Sequence, residues 1–180
     1  MRVITGIARG RNLETLPTDD VRPTYDRVKE AMFSIIQFEI EGRRVLDLFA
    51  GSGQLGIEAL SRGAESATFI DNSKKSIDVV RRNLATVKMS DKATVIQADA
   101  VSFSANCAGR FDIAFLDPPY DSGLIEKALP NVAMKMTDGG VIVCETEIHE
   151  TLPESAGDFK IYRDYKYGKT KITVYRRENI

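Results

Sequence analysis

Two periodicities run through this chain, and they alternate. After Arg22-Pro23-Thr24, the apolar residues Val28, Met32, Ile35 and Ile36 share one helical face, with Thr24 in position to cap the helix and Gly42 closing the segment. Residues 45–49 then form a short apolar run that predicts a buried strand. A glycine-rich turn follows, and after it a helix through Leu55, Ile57, Ala59 and Leu60, with Gly63 suited to its C-terminal end. Residues 67–70 predict a second strand ending at Asp71, and 73–88 a helix with Ile77, Val80, Leu84 and Val87 near one face. Strands over 93–97, 111–116 and 141–144 and a helix over 124–136 continue the series, with Gly139-Gly140 introducing the strand at 141. Strands alternating with helices imply a mostly parallel sheet covered on both faces, an α/β fold. The last segment departs from that rhythm: 159–165 and 171–175 alternate across Tyr167-Gly168-Lys169, which predicts a terminal β-hairpin. The expected organisation is one domain over 1–180, with 1–22 as an N-terminal extension.

Composition excludes several classes. At 43% hydrophobic and 28% charged residues, the chain matches an ordinary globular protein rather than a disordered or fibrous one. No apolar stretch approaches the roughly 20 residues that span a bilayer, and residues 1–10 lack the apolar core of a secretory signal. Cys107 and Cys144 have no metal-ligand spacing and His149 is the only histidine, so no metal site is expected and the cysteines fit a reducing cytoplasm. A monomer is the default expectation.

The net charge of −1 argues against a generic nucleic-acid binder, yet the charge is unevenly distributed. Lys160, Arg163, Lys166, Lys169, Lys171, Arg176 and Arg177 face only Asp164 within their segment, and Arg2, Arg9 and Arg11 open the chain without a nearby acid. If the two ends share a face, Arg9, Arg11, Lys169 and Lys171 belong to a basic patch that holds RNA. A solvated strand edge kept soluble by lysines is the alternative.

The glycine turn sits where a cofactor is expected. Gly51-Ser52-Gly53-Gln54-Leu55-Gly56 follows a strand and opens a helix, and Asp71 stands about 20 residues later at the end of the next strand. Gly51 and Gly53 permit close backbone approach, and Asp71 can accept hydrogen bonds from both ribose hydroxyls. A dinucleotide and S-adenosylmethionine both satisfy that logic. Asp47 tilts the choice, because a carboxylate inside a buried strand is costly unless a cation such as the methionine ammonium needs it. A pyrophosphate at this turn would instead be repelled. Asp99, at the end of the third strand, is placed either to accept from an adenine amino group or to cap a turn or helix. Phe49, Asn72 and Ala100 flank these positions and complete the candidate cofactor set.

Asp117-Pro118-Pro119-Tyr120 ends a later strand and supplies the substrate side. The lone pair of an exocyclic amine is delocalised into its ring, which makes the nitrogen a poor nucleophile. The Asp117 carboxylate and the Pro118 carbonyl can accept both amine protons and localise that lone pair. The two prolines stiffen the backbone, and Tyr120 can stack on the base. Catalysis would come mostly from positioning, with a sulfonium as leaving group.

These motifs together resemble the RsmD family of bacterial 16S rRNA guanine-N2 methyltransferases. The similarity runs through Arg9-Gly10-Arg11, Arg22-Pro23-Thr24 with Asp26-Arg27-Val28, the segment 46–53, the segment 55–64, the Asp-Pro-Pro-Tyr motif and Tyr167-Gly168-Lys169-Thr170. The glycine segment and the Asp-Pro-Pro-Tyr motif are common to many amino-methyltransferases, whereas Arg-Pro-Thr-x-Asp-Arg-Val is specific to this family. The resemblance implies a Rossmann-like class I S-adenosylmethionine-dependent methyltransferase with a mostly parallel seven-stranded sheet and an antiparallel C-terminal strand. It implies a small-ribosomal-subunit substrate, methylated at guanine-966, and puts Arg22, Thr24 and Arg27 beside the pocket or on its RNA rim. Two positions depart from the family pattern: Asp71, where glutamate is more usual, and Gln54, where a small residue is.

Rival readings make different demands. An adenine-N6 methyltransferase would use the same Asp-Pro-Pro-Tyr chemistry, though DNA-modifying versions carry an added recognition domain. A protein glutamine methyltransferase typically has asparagine at the position of Asp117. A nicotinamide-dependent dehydrogenase leaves Asp47 and the Asp-Pro-Pro-Tyr motif unexplained. A non-catalytic RNA-binding assembly factor explains the basic hairpin but needs no cofactor-facing carboxylates.

Overall fold

The computed structural model describes residues 1–17 and 23–178, the side chains of 23–25 apart. Five parallel strands form the body of the sheet: β1 (Arg44–Asp47), β2 (Ser66–Asp71), β3 (Ala93–Gln97), β4 (Phe111–Leu116) and β5 (Met136–Glu147). β7 (Phe159–Tyr167) and β8 (Thr170–Arg177) form the expected hairpin, and β8 inserts antiparallel between β5 and β7. The two-residue β6 (Ser155–Ala156) extends the edge, so the described residues hold eight strands in the order 3-2-1-4-5-8-7-6 rather than the seven expected.

Strand alternation builds two cores, because successive side chains point to opposite faces. Val45, Ile113, Phe115, Val141 and Val143 join the apolar faces of α1 (Pro23–Ile35), α2 (Gln54–Ser61) and α3 (Lys74–Val87). Leu46, Ala114, Leu116, Ile142 and Cys144 pack with α4 (Ala100–Asn106) and α5 (Leu124–Lys135) on the other face.

Two local expectations are corrected, and one of the two readings of Asp99 is met. Pro23 rather than Thr24 begins α1, because proline loses nothing at a first helical position, where the N–H would have no partner. β5 starts at Met136 instead of residue 141, as α5 runs directly into it and Gly139-Gly140 lie inside the strand. The segment after Asp99 is a helix, α4, and Asp99 is its N-cap, accepting from the Ser102 N–H at 2.8 Å.

The N-terminal segment is docked on α2. Buried Glu58 accepts from the N–H groups of Ile4 and Thr5, both at 2.9 Å, and pairs with Lys29 at 3.3 Å and Arg62 at 2.9 Å. The Ser61 hydroxyl accepts from Ala8 N–H and donates to the Thr5 carbonyl. Gly6 is required here, since a Cβ would sit 1.8 Å from the Ser61 carbonyl oxygen. Asn83 of α3 then ties the segment to the glycine turn: it accepts from Glu14 N–H and donates to the carbonyls of Glu14 and Ser52.

Candidate active site

The sheet order reverses between β1 and β4, and a cleft of about 1110 Å³ opens there at the carboxyl ends of the strands. Ligands of open α/β sheets bind at such a switch point. One wall is built by Phe49, Gly51, Asp71, Asn72, Asp99 and Ala100, and the other by Asp117, Pro118, Pro119, Tyr120, Glu145 and Lys169. Leu16 and Val28, from either side of residues 18–22, also line it.

Strand alternation decides which carboxylates meet. Asp47 lies opposite Phe115 and Leu116 opposite Cys144, so Asp117, one residue past β4, is level with Glu145. All three acids continue the face shared by Val45, Phe115 and Val143. Their proximity appears in their protonation. The Asp47 carboxyl is pushed up to about 7, first by burial and then by the charges of Asp117 and Asp71, against the opposing pull of its hydrogen bond from Gly56 N–H at 3.0 Å. Burial, with Asp117 adding, also raises the Glu145 carboxyl well above the ordinary carboxylate range.

The cofactor-side residues divide into two groups. Asp71 lines the cleft while its two oxygens accept from Gly51 N–H and Ser73 N–H, both at 2.9 Å. Asp99 combines both roles considered for it, capping α4 and facing the cleft; the Ser102 N–H holds its carboxyl below the usual range. Asp47 and Gly53 stand behind the wall instead of in it. Asp47 is 1% exposed and anchors the first turn of α2 through Gly56. Gly53, at φ +84°, lets the turn pass 3.2 Å from the Val80 methyl groups, measured from a Cβ in its place. Gln54 is buried and its Oε1 has no hydrogen-bond partner among the described residues; it does not line the cleft.

On the substrate side, Tyr120 is half-exposed but its hydroxyl is fixed, donating to Glu145 Oε1 at 3.0 Å and meeting Thr170 Oγ1 at 3.1 Å. Burial and the Glu145 charge raise its phenol above the ordinary value. Glu145 was not singled out from the sequence, where it follows Cys144 in an apolar run. The strand expected over 141–144 stops one residue short of it, and only the longer β5 puts Glu145 inside a buried strand, as Asp47 is.

The basic residues are placed less uniformly than their spacing implied. Arg9, Arg11 and Arg27 are exposed, and Lys169 reaches the cleft. Lys171 belongs to the opposite strand face, is buried, and donates to the Glu150 carbonyl, so it is not a surface contact for RNA. Arg176 is held bidentate by Glu39 at 2.7 and 2.8 Å, Arg177 by Asp138 and Asp158, and Lys160 by Glu178. Much of the expected patch is therefore neutralised by partners remote in sequence. Arg22 and the Thr24 side chain lie outside the described residues. Exposed Asp121 and His149 and half-buried Glu147 bring ligand atoms within 4.8 Å of one another beside the cleft, a grouping that spacing along the chain did not reveal.

A glycine turn after β1, acids ending β1 and β2, and a parallel sheet closed by an antiparallel hairpin define the class I methyltransferase fold. The chain belongs to the RsmD family: the family model described as "Conserved hypothetical protein 95" matches residues 1–176. It is 40% identical to YlbH of Bacillus subtilis, over 98% of this chain and 99% of that protein. It is 36% identical to Ribosomal RNA small subunit methyltransferase D of Escherichia coli K12, over 99% of this chain and 90% of the relative. The solved structure of Escherichia coli yhhF superposes with a TM-score of 0.88 at 36% identity, covering 99% of this chain and 98% of that one. The described helices include none long and apolar enough to cross a membrane.

Proposed function

We propose that this protein transfers a methyl group from S-adenosylmethionine to the exocyclic N2 of a guanine in 16S rRNA of the small ribosomal subunit. The observation that carries this reading is the union, in one cleft, of the Asp71–Asn72–Asp99 wall with the Asp117–Pro118–Tyr120 wall. Membership of a family whose Escherichia coli relative is named a small-subunit rRNA methyltransferase supports the substrate class.

The first wall suits the cofactor. An ionised carboxylate has about four acceptor sites; Asp71 uses two on Gly51 and Ser73, which leaves capacity for two ribose hydroxyls. Asp99 keeps acceptor capacity for an adenine amino group. Asp47 supplies negative charge behind the turn, toward a methionine ammonium. When bound, S-adenosylmethionine supplies a methyl group on a cationic sulfur, which leaves readily. Asp117 and the Pro118 carbonyl accept the two amine protons and turn the nitrogen lone pair toward that methyl. Tyr120, its hydroxyl clamped, stacks on the base and holds the line of attack. Asp117 then takes the proton that becomes acidic once the nitrogen has been methylated. A base in a paired helix must be extruded to enter, and Arg9, Arg11, Arg27 and Lys169 hold phosphates, which position RNA without reading its sequence.

Nucleoside mass spectrometry tests the reading after incubation of the protein and S-adenosylmethionine with unmodified small subunits and, in parallel, naked rRNA. New N2-methylguanosine is the expected product, abolished by Asp117→Ala. N6-methyladenosine would transfer the assignment to the adenine alternative, and full turnover by Asp117→Ala would overturn the role given to that carboxylate.

A further inference from the structure

Glu145 is 4% exposed, yet it lines the cleft beside Asp117. Its Oε1 accepts from the Tyr120 hydroxyl at 3.0 Å, which fixes the carboxylate, and no described residue hydrogen-bonds its Oε2. Adjacent strands lie about 4.8 Å apart, so Asp117 and Glu145, level across β4 and β5, present two neighbouring acceptors to the same bound base. Guanine carries two neighbouring donor groups on one edge, the reacting N2 amine and the ring N1–H. Adenine offers its N6 amine beside an N1 that is itself an acceptor.

We propose that Glu145 reads the guanine N1–H next to the amine held by Asp117, and thereby selects guanine over bases whose N1 lacks a proton. This rests on the guanine-N2 assignment above. An acceptor facing the Glu145 carboxylate would leave both unpaired in a desolvated site, the situation in which hydrogen-bond recognition discriminates most strongly. Burial and the neighbouring Asp117 favour a proton on Glu145 in the empty cleft, so pairing with guanine N1–H includes release of that proton, and the preference for guanine should grow as pH rises. Among the described residues, the other charged or titratable groups around Glu145 are Tyr120, Glu126 and Glu150 in the small recess it shares with them, Glu147 two residues further along β5, and Lys169 just before β8. Tyr120 acts here through Glu145, as a positioning residue.

The test uses a small-subunit rRNA fragment whose methylated guanine has first been mapped with the wild-type protein, and a second fragment with 2-aminopurine at that position. 2-Aminopurine keeps the 2-amino group but has no proton on N1. Wild-type kcat/KM is expected to favour guanine by roughly 10- to 100-fold, the range for a hydrogen bond to a charged group. Glu145→Gln keeps an acceptor for Tyr120 but can turn an NH2 toward the base. It should lose about the same factor on guanine and narrow or reverse the preference. Equal wild-type rates on both fragments overturn the proposal without any variant. A Glu145→Gln that slows both fragments equally overturns it too, leaving Glu145 as a support for Tyr120. Mass spectrometry of the product separates the two levels: N6-methyladenosine removes the guanine assignment itself, whereas N2-methylguanosine with an unchanged preference removes only the role of Glu145.

Discussion

Replacing Asp47 by asparagine should stabilise the ligand-free protein at pH 8 while weakening its hold on the cofactor. The Asp47 carboxyl titrates near 7 in the fold and near 3.9 in an unfolded chain. A value raised on folding means that the folded state binds the proton more tightly, so ionisation works against the fold. The penalty is absent below about pH 4, grows between about pH 4 and 7, and is complete above 7. Roughly three pH units at 1.36 kcal/mol each amount to about 4 kcal/mol. Asparagine keeps an acceptor for Gly56 N–H but introduces an NH2 group whose burial costs about 1–3 kcal/mol if unmet. The expected net gain at pH 8 is thus about 1–3 kcal/mol, falling to a loss near pH 4.5, where wild-type Asp47 is protonated. Urea unfolding of both proteins in half-unit steps from pH 4.5 to 8 isolates the effect as a difference, since Glu145 and the remaining acids titrate in both. S-adenosylmethionine at 100 times its Kd adds about 2.7 kcal/mol to the wild type. The variant should gain less from the same concentration, and the shortfall should widen between pH 6 and 8. A stability difference that does not change with pH would refute the assignment of the raised carboxyl to Asp47.

Three further perturbations have distinct readouts. Gly56→Ala would put a Cβ 2.3 Å from the ring of fully buried Phe69, so a loss of at least about 2 kcal/mol by urea unfolding is expected, and a loss below 0.5 would show that α2 can lift from β2. Glu58→Gln leaves buried Lys29, whose ammonium burial already disfavours, without its counter-charge; about 3–5 kcal/mol should be lost, with faster amide exchange at Ile4 and Thr5, and unchanged exchange there would show that the N-terminal segment docks without Glu58. Arg9→Ala with Arg11→Ala should weaken RNA binding and reduce its logarithmic salt slope by about 1.4–1.8, as loss of two phosphate contacts requires, while cofactor affinity stays the same. Equal loss of cofactor affinity would mean that the segment acts on the glycine turn through Asn83 rather than on RNA.

How far the sequence carried depends on the range of the interactions involved. The alternation of strands and helices, the glycine turn and the cleft-facing positions of Asp71 and Tyr120 are local properties, set by periodicity and by residues at strand ends. The neutralised hairpin was not legible, because Arg176 meets Glu39 across 137 residues and only the folded sheet brings them together. Lys171 illustrates the same limit at shorter range. Counting charges along 160–177 treats Lys169 and Lys171 alike, yet Lys169 precedes β8 and reaches the cleft, while Lys171 is the second residue of that strand and turns to the far face. Residues 169 and 171 are two apart and would share a face if both lay in the strand; they part because Lys169 belongs to the hairpin turn and Lys171 to β8, and an element's first residue is the least certain part of any prediction. Glu145 is a different case, hidden only by where its strand was expected to end. A carboxylate within a strand of fully buried neighbours is costly unless something needs it; that test picks out Asp47, Asp112 and Glu145, and Asp112 is answered by Arg44 and Thr137, which leaves the other two. The partner differs: Asp47 stands behind the cofactor wall, where a cation is expected, and Glu145 stands beside Asp117, where a base with donor groups is. Two unexplained buried acids at the ends of nearby strands therefore locate both halves of the reaction before any pocket is drawn.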